Sequence, residues 1–434
     1  MKIGNVEIKK NYIIVLSVII LVVSLALGYS LLYSDLNYQA NVTVKNYKCN
    51  QENLYERLTC LSTYDNTPSK NVKSYSGIDY NDISSDTNGK GLYTLSETLD
   101  TANPIRYFRG NVKNNNLKFA SSCWKIIRTT STGGIKLIYN GKPNDKGICE
   151  ENGVSIGSYA FNDENLSVSD TSYMYGKTYE IKEKIMENTE IVYGNTVNWN
   201  NETNTYTISD EVISSSWSND HNNLKNKYTC FNNETTCEKV NYISESNDPA
   251  KAIYIELALG ETKENIYENI STNENSSSIK TILDKWYEDN IKAFENNLED
   301  TLYCNDRTSL NGNAKKEMIF ACPNKADSFS TKEENGNAKL TYPIALLTKE
   351  EIILSGLNTE KENTNYLTTN SNILTMTPAK ININESKMVI ISSMNKIDSL
   401  KSTEKAEIKP VISLKKDTLI VSGTGTLDDP YIIG

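Results

Sequence analysis

Eight cysteines are the residues whose chemistry is easiest to read: Cys49, Cys60, Cys123, Cys149, Cys230, Cys237, Cys304 and Cys322. Their number is even, and they fall as four close pairs along the chain. In an oxidising compartment such spacing suits disulfides between neighbours, Cys49 with Cys60, Cys123 with Cys149, Cys230 with Cys237 and Cys304 with Cys322. Eight cysteines allow about 105 connectivities, so this pairing is the parsimonious one, with free buried thiols as its alternative. A zinc site would want a CxxC or several histidines. Neither is present, and His221 is the single histidine.

Other candidate chemistry is sparse. Asp86, Asn88 and Glu97 fall at about positions 1, 3 and 12 of a calcium loop, with Gly91 at the turn. Lys90 occupies the fifth position, where an oxygen ligand belongs, so a plain surface loop competes with the calcium reading. Asn305-Asp306-Arg307 reads first as a structural ion pair of Arg307 with Asp306 or a carboxylate nearby. Triad catalysis would rest on His221, in the turn-like stretch SNDHNN. Trp199 and Trp217 sit among Asn and Ser, where flat rings can meet sugars. Trp124 and Trp286 sit on apolar stretches that predict core. No catalytic set and no cofactor motif emerges.

The elements that must position these residues begin with an address. Tyr12–Leu32, YIIVLSVIILVVSLALGYSLL, is uncharged over 21 residues. That length crosses a bilayer core as a helix, which takes about 20 residues. Lys2, Lys9 and Lys10 precede it, which predicts a C-terminal part facing outward. The alternative is secretion after cleavage before Tyr29, where Ala26 and Gly28 are small. The reading is a cytoplasmic tail (1–11), a transmembrane helix (12–32), a juxtamembrane segment (33–70), a first ectodomain part (71–189), an inserted β module (190–265) and a second ectodomain part (266–434).

The fold class predicted is α+β, a β-rich ectodomain of short antiparallel strands with few helices. Strand patterns cover Arg106–Phe108, Leu117–Ala120, Trp124–Thr129 and Ile135–Tyr139, with a hairpin at Gly133-Gly134. Others cover Leu340–Leu347, Met388–Ser392, Val411–Leu414, Thr418–Val421 and Tyr431–Ile433. Helices are predicted over Glu52–Cys60, Tyr179–Glu187, Ser278–Leu298 and Lys349–Leu354, the last with Thr348 as N-cap. A net charge of −10 argues against nucleic acid as a partner. Only five of 45 basic residues are Arg, and the wealth of Asn, Lys, Ile and Tyr is what an AT-rich genome produces.

The ordered series FRGNV (108–112), LKFASSCWKIIRT (117–129), GGIKLIYNG (133–141), IKTILDKWYEDNI (279–291), LYCNDRTS (302–309) and LTYPIALLTKEEIILSG (340–356) resembles a poorly characterised family of membrane-anchored Gram-positive surface proteins. The likeness runs on through KPVISLKKDTLIVSGTGTLDDPYIIG (409–434) and covers nearly the whole chain. It implies a C-terminal domain of unknown function, similar to the C-type-lectin-like and formylglycine-generating-enzyme-like folds. LTMTP (374–378) departs from an aromatic WTLSP-like segment in the relatives. The function expected is an extracellular binding or interaction domain on a single-pass anchor, its ligand a glycan, wall polymer or protein. The alternatives are a structural surface-assembly component and, less favoured, a hydrolase.

Overall fold

The computed structural model describes residues 2–3, 6–7, 19–25, 49–63, 70–83, 91–96, 103–163, 169–179, 263–308, 320–381 and 386–434, together with backbone strands between 182 and 255. The chain divides into two units, Met1–Asn50 and Gln51–Gly434. In the first, residues 19–25 of the apolar run are helical, and the large aliphatic side chains among them are 52–65 % exposed. Among the described residues no helix is long and apolar enough to cross a membrane.

The second unit is α+β with mostly strands. A nine-stranded sheet is built on β1 (Asn71–Val72), β2 (Leu92–Leu95), β3 (Ile105–Phe108), β4 (Asn116–Phe119), β5 (Ser122–Thr129) and β6 (Ile135–Tyr139). The chain returns to it with β12 (Val411–Leu414), β13 (Ile420–Ser422) and β14 (Tyr431–Ile433). A five-stranded sheet holds β7 (Ser158–Tyr159), β8 (Ile373–Ile381), β9 (Ser386–Ile391), β10 (Ile397–Lys401) and β11 (Ala406–Glu407) in the order β10-β9-β8-β11-β7. Strand β5 is the hub of the larger sheet. It pairs β4 and β3 along one edge and β6 along the other, and β6 then pairs β12. Every residue of β5 is buried, which explains why SCWKIIRT reads as a continuous run with no apolar–polar alternation.

Four helices cover this framework: α1 (Leu54–Ser62), α2 (Lys263–Ile270), α3 (Ser278–Asn290) and α4 (Lys349–Ser355). Asn53 caps α1 by accepting from the Glu56 N–H. Helix α3 buries Ile279, Leu283 and Tyr287, spaced by four, and tightens into a 3-10 turn over Lys292–Asn297. The 3-10 turn explains why an apolar pattern continuous to Leu298 does not stay α-helical. Trp124 anchors the core. Its indole N–H donates to the Phe119 carbonyl at 3.0 Å, and its ring meets Tyr139 and Trp286 edge-on.

Between β7 and α3 lies the inserted β material. Its stem is Lys182–Ile185 antiparallel to Lys251–Ile255, with Tyr242–Ser244 beyond. A six-stranded sheet follows the order Val197–Asn200, Thr205–Ile208, Thr236–Lys239, Lys227–Cys230, Ile191–Gly194, Val212–Ser215. The helix expected over Tyr179–Glu187 is therefore corrected: its central residues are strand, because the partner Lys251–Ile255 supplies a ladder that local periodicity cannot reveal. Leu340–Leu347 is likewise no strand. It touches the sheet only through an Ala345–Val411 bridge and otherwise runs as an irregular apolar segment buried from Ile344 to Leu347.

Removing the Trp124 ring should cost about 3–5 kcal/mol of unfolding free energy. Leu419, 58 % exposed, should tolerate alanine within about 0.5 kcal/mol. Urea melts of Trp124→Ala and Leu419→Ala check the contrast.

Candidate functional site

The cysteines fall into two groups. Cys123–Cys149 and Cys304–Cys322 are disulfides, with Cα atoms 5.8 and 5.4 Å apart. Cys49 and Cys60 are disulfide-bonded as well. Cys230 and Cys237 lie directly opposite in the register of adjacent antiparallel strands. The calcium candidates Asp86, Asn88 and Glu97 lie outside the described residues, as do His221 and Trp217. Among the described residues no group of three or more His, Cys, Asp or Glu is placed to hold a metal ion.

The polar side chains that are brought together lie mostly inside the protein. Thr348 opens α4 with a capping box: its hydroxyl accepts from the Glu351 N–H, and the Glu351 carboxylate accepts from the Thr348 N–H at 3.1 Å. The other Glu351 oxygen, Oε1, takes Lys136 Nζ and Arg128 NH2, each at 2.9 Å. All three side chains are buried. Burial pushes the Glu351 carboxyl upward, but Lys136, Arg128 and the Thr348 N–H outweigh it and hold the group at about 2. The carboxylate is thus ionised at every physiological pH.

Arg307 behaves as its neighbours foretell, but with another partner. It pairs with Asp327, Nε to Oδ1 at 2.7 Å, and donates to the Met174 carbonyl and Asn273 Oδ1. Asp306 instead caps its own turn by accepting from the Thr308 N–H and hydroxyl. Tyr267 donates to the second Asp327 oxygen at 3.0 Å. Asn305 bridges three backbone groups, accepting from Tyr173 N–H and donating to the Thr171 and Met376 carbonyls. These are joints of the fold, closed on themselves.

Sequence reading misses two further features. Arg109, in FRGNV, satisfies the orphan end of α4 by donating to the Ile353 and Leu354 carbonyls, and it also reaches Tyr80 O and Asp82 O. Lys125 is buried, and among the described residues its acceptor is the Tyr366 carbonyl alone, at 3.0 Å. Burial pushes its ammonium down to about 7, and Lys409 and Lys113 add like-charge repulsion. No local signal marks either residue, because the α4 carbonyls that Arg109 caps and the Tyr366 carbonyl that holds Lys125 lie more than 200 positions away.

At the surface, an open cleft of about 580 Å³ is lined by Asn53, Tyr55, Glu56, Lys415, Lys416 and Asp417. Tyr55 is flanked by cations, Arg106 at 5.3 Å and Lys416 at 4.9 Å from its ring centroid. Lys416 Nζ and the Tyr55 hydroxyl both donate to Asn103 Oδ1, at 2.9 and 3.3 Å. The ring is 8 % exposed, so it braces the cleft and offers no open stacking platform. The lining carries charges of both signs, Glu56 and Asp417 beside Lys415 and Lys416.

The chain matches no family model, no curated protein and no solved structure.

Glu351→Gln should destabilise by about 3–5 kcal/mol, because it strips charge compensation from two buried cations. Lys125 sets a pH dependence. The unfolded lysine binds its proton below about 10.4, whereas the folded one does so only below about 7. Between those values the unfolded state holds more protons, so stability rises with pH at up to about 1.4 kcal/mol per unit. Urea midpoints measured from pH 7 to 9 should climb, and Lys125→Met should make the climb shallower, with Lys409 and Lys136, each lowered to about 8, supplying the remainder.

Proposed function

We propose that this chain is a surface protein tethered by Tyr12–Leu32, displaying a disulfide-stapled α+β domain that binds an extracellular partner. The observation that carries the reading is the set of disulfides in a unit that already owns a large apolar core. Such a core has no need of staples for small size. Disulfides persist where the environment oxidises them, outside the cytosol. The uncharged 21-residue run preceding the unit then gives the tether. Glu351 with Lys136 and Arg128, and Arg307 with Asp327, are paired inside the fold, which leaves recognition to the surface, where the Asn53–Asp417 cleft is a concavity open to a glycan, wall polymer or protein. The resemblance of the ordered motif series to membrane-anchored surface proteins fits this reading.

A second reading, surface assembly, draws on Leu419 and Val421. They are 58 and 69 % exposed on either side of buried Ile420, Val421 in the end strand of the nine-stranded sheet and Leu419 just before it, where Glu52–Leu54 already hydrogen-bonds to the backbone. Neighbouring exposed apolar side chains favour packing against another surface.

Expressed as the full chain in a monoderm host, the protein should remain in the membrane after carbonate washing. It should be labelled by an impermeant amine reagent on intact cells, and its cysteines should resist alkylation until reduced. Recovery as a soluble protein beginning at Tyr29 would replace the tether with secretion. Protection from label on intact cells would overturn the outward display. Self-association abolished by Val421→Lys would move the balance to assembly.

A further inference from the structure

Lys409 and Asn140 stand apart from the other buried polar pairs. Each is 4 % exposed, and Lys409 Nζ lies 3.2 Å from Asn140 Oδ1. They face each other across the β6–β12 ladder, just beyond the Ile138–Val411 pair and the hydrogen bond from Tyr139 N–H to the Pro410 carbonyl. The carboxamide is fixed at both ends. Its Oδ1 accepts from the Gly153 N–H at 3.2 Å, and its Nδ2 donates to the carbonyls of Glu150 and Glu151 at 2.8 and 3.3 Å. Gly153 is required for this approach, since a Cβ there would fall 1.7 Å from the Asn140 carbonyl oxygen.

The amine is equally distinctive. Buried Lys136 is held by Glu351, and buried Lys280 by Asp284. Among the described residues Lys409, like Lys125, donates only to neutral oxygens, but one of its acceptors is a side-chain carboxamide: Asn140 Oδ1 beside the Gly153 carbonyl at 2.9 Å. Burial pushes its ammonium down to about 8, with Glu407 pulling the other way. Lys125 and Glu407 are the charged groups whose fields meet here. A desolvated lysine with a lowered pKa is a nucleophile at moderate pH.

We propose that Lys409 and Asn140 become joined by an amide cross-link, making this pair a self-modification site. The Lys409 amine attacks Asn140 Cγ, so the Nζ–Cγ bond forms as the Cγ–Nδ2 bond breaks. One amine proton passes to Nδ2, and ammonia departs past the carbonyls that already hold Nδ2. No oxidant or second substrate is needed. The Gly153 N–H sits where negative charge develops on Oδ1 and acts as a one-donor oxyanion site. The link would join residues 269 positions apart and fasten the segment carrying β12, β13 and β14 to the centre of the sheet.

Intact-mass measurement of the full-length protein, reduced and denatured after incubation near about pH 9, where the lysine is largely neutral in the folded state, tests this. The expected mass is the sequence mass less one ammonia. The expected digest contains a branched peptide joining the Lys409 and Asn140 segments, absent from Lys409→Arg. A full sequence mass, or ammonia loss confined to a linear Asn140-Gly141 imide that hydroxylamine cleaves, would overturn the proposal. The wild-type measurement decides the matter even if the variant fails to fold.

Discussion

The structure depends most on how one carboxylate reconciles two cations. Arg128 on β5 and Lys136 on β6 are direct cross-strand partners, an arrangement that repels in isolation. Both are buried, so water does not screen them. Glu351, delivered from the first turn of α4, neutralises the pair and at the same time closes the helix's capping box. Arg128 also lies 4.0 Å above the Phe320 ring, and Lys136 4.5 Å above the Tyr303 ring. The hub strand, its neighbour, helix α4 and the segments on either side of the Cys304–Cys322 disulfide therefore converge on one anion. Buried ion clusters of this kind contribute little net stability over apolar packing, but they penalise any other register severely.

Much of this framework is legible from residue order. The strands Ile135–Tyr139, Val411–Leu414 and Tyr431–Ile433 coincide with their apolar runs, because turn residues bound them on both sides. Thr348 and Glu351 announce the start of α4, and Gly356 ends it at a φ of 106°. Gly133, at φ 92°, turns the β5–β6 hairpin as the Gly-Gly pair implies. Trp124 and Trp286 pack together in the core, as their apolar neighbours suggest.

What stays hidden is everything decided by distant partners. Arg307 chooses Asp327 over adjacent Asp306, because the adjacent carboxylate is already engaged by the turn that contains it. The stem strand Lys182–Ile185 carries a pattern that fits a helix equally well, and only the ladder with Lys251–Ile255 settles it. The cleft is similarly invisible in one dimension: Asn53 and Lys416 meet through an Asn53 Nδ2 to Lys416 carbonyl bond that spans 363 positions. Lysines in a lysine-rich chain look like solvated surface. Burial of Lys125, Lys136 and Lys409 is a property of the assembled sheets alone.

The stem of the inserted β material has a bearing on how such a chain can diversify. Lys182–Ile185 and Lys251–Ile255 run antiparallel as direct neighbours, so the chain leaves and re-enters the parent fold at points only about 5 Å apart. To the parent sheets, everything between those strands is topologically a single long hairpin loop, whose length costs little closure entropy. A change in length within that interval therefore leaves the ladder of the stem, and the strands of the body beyond it, in the same register.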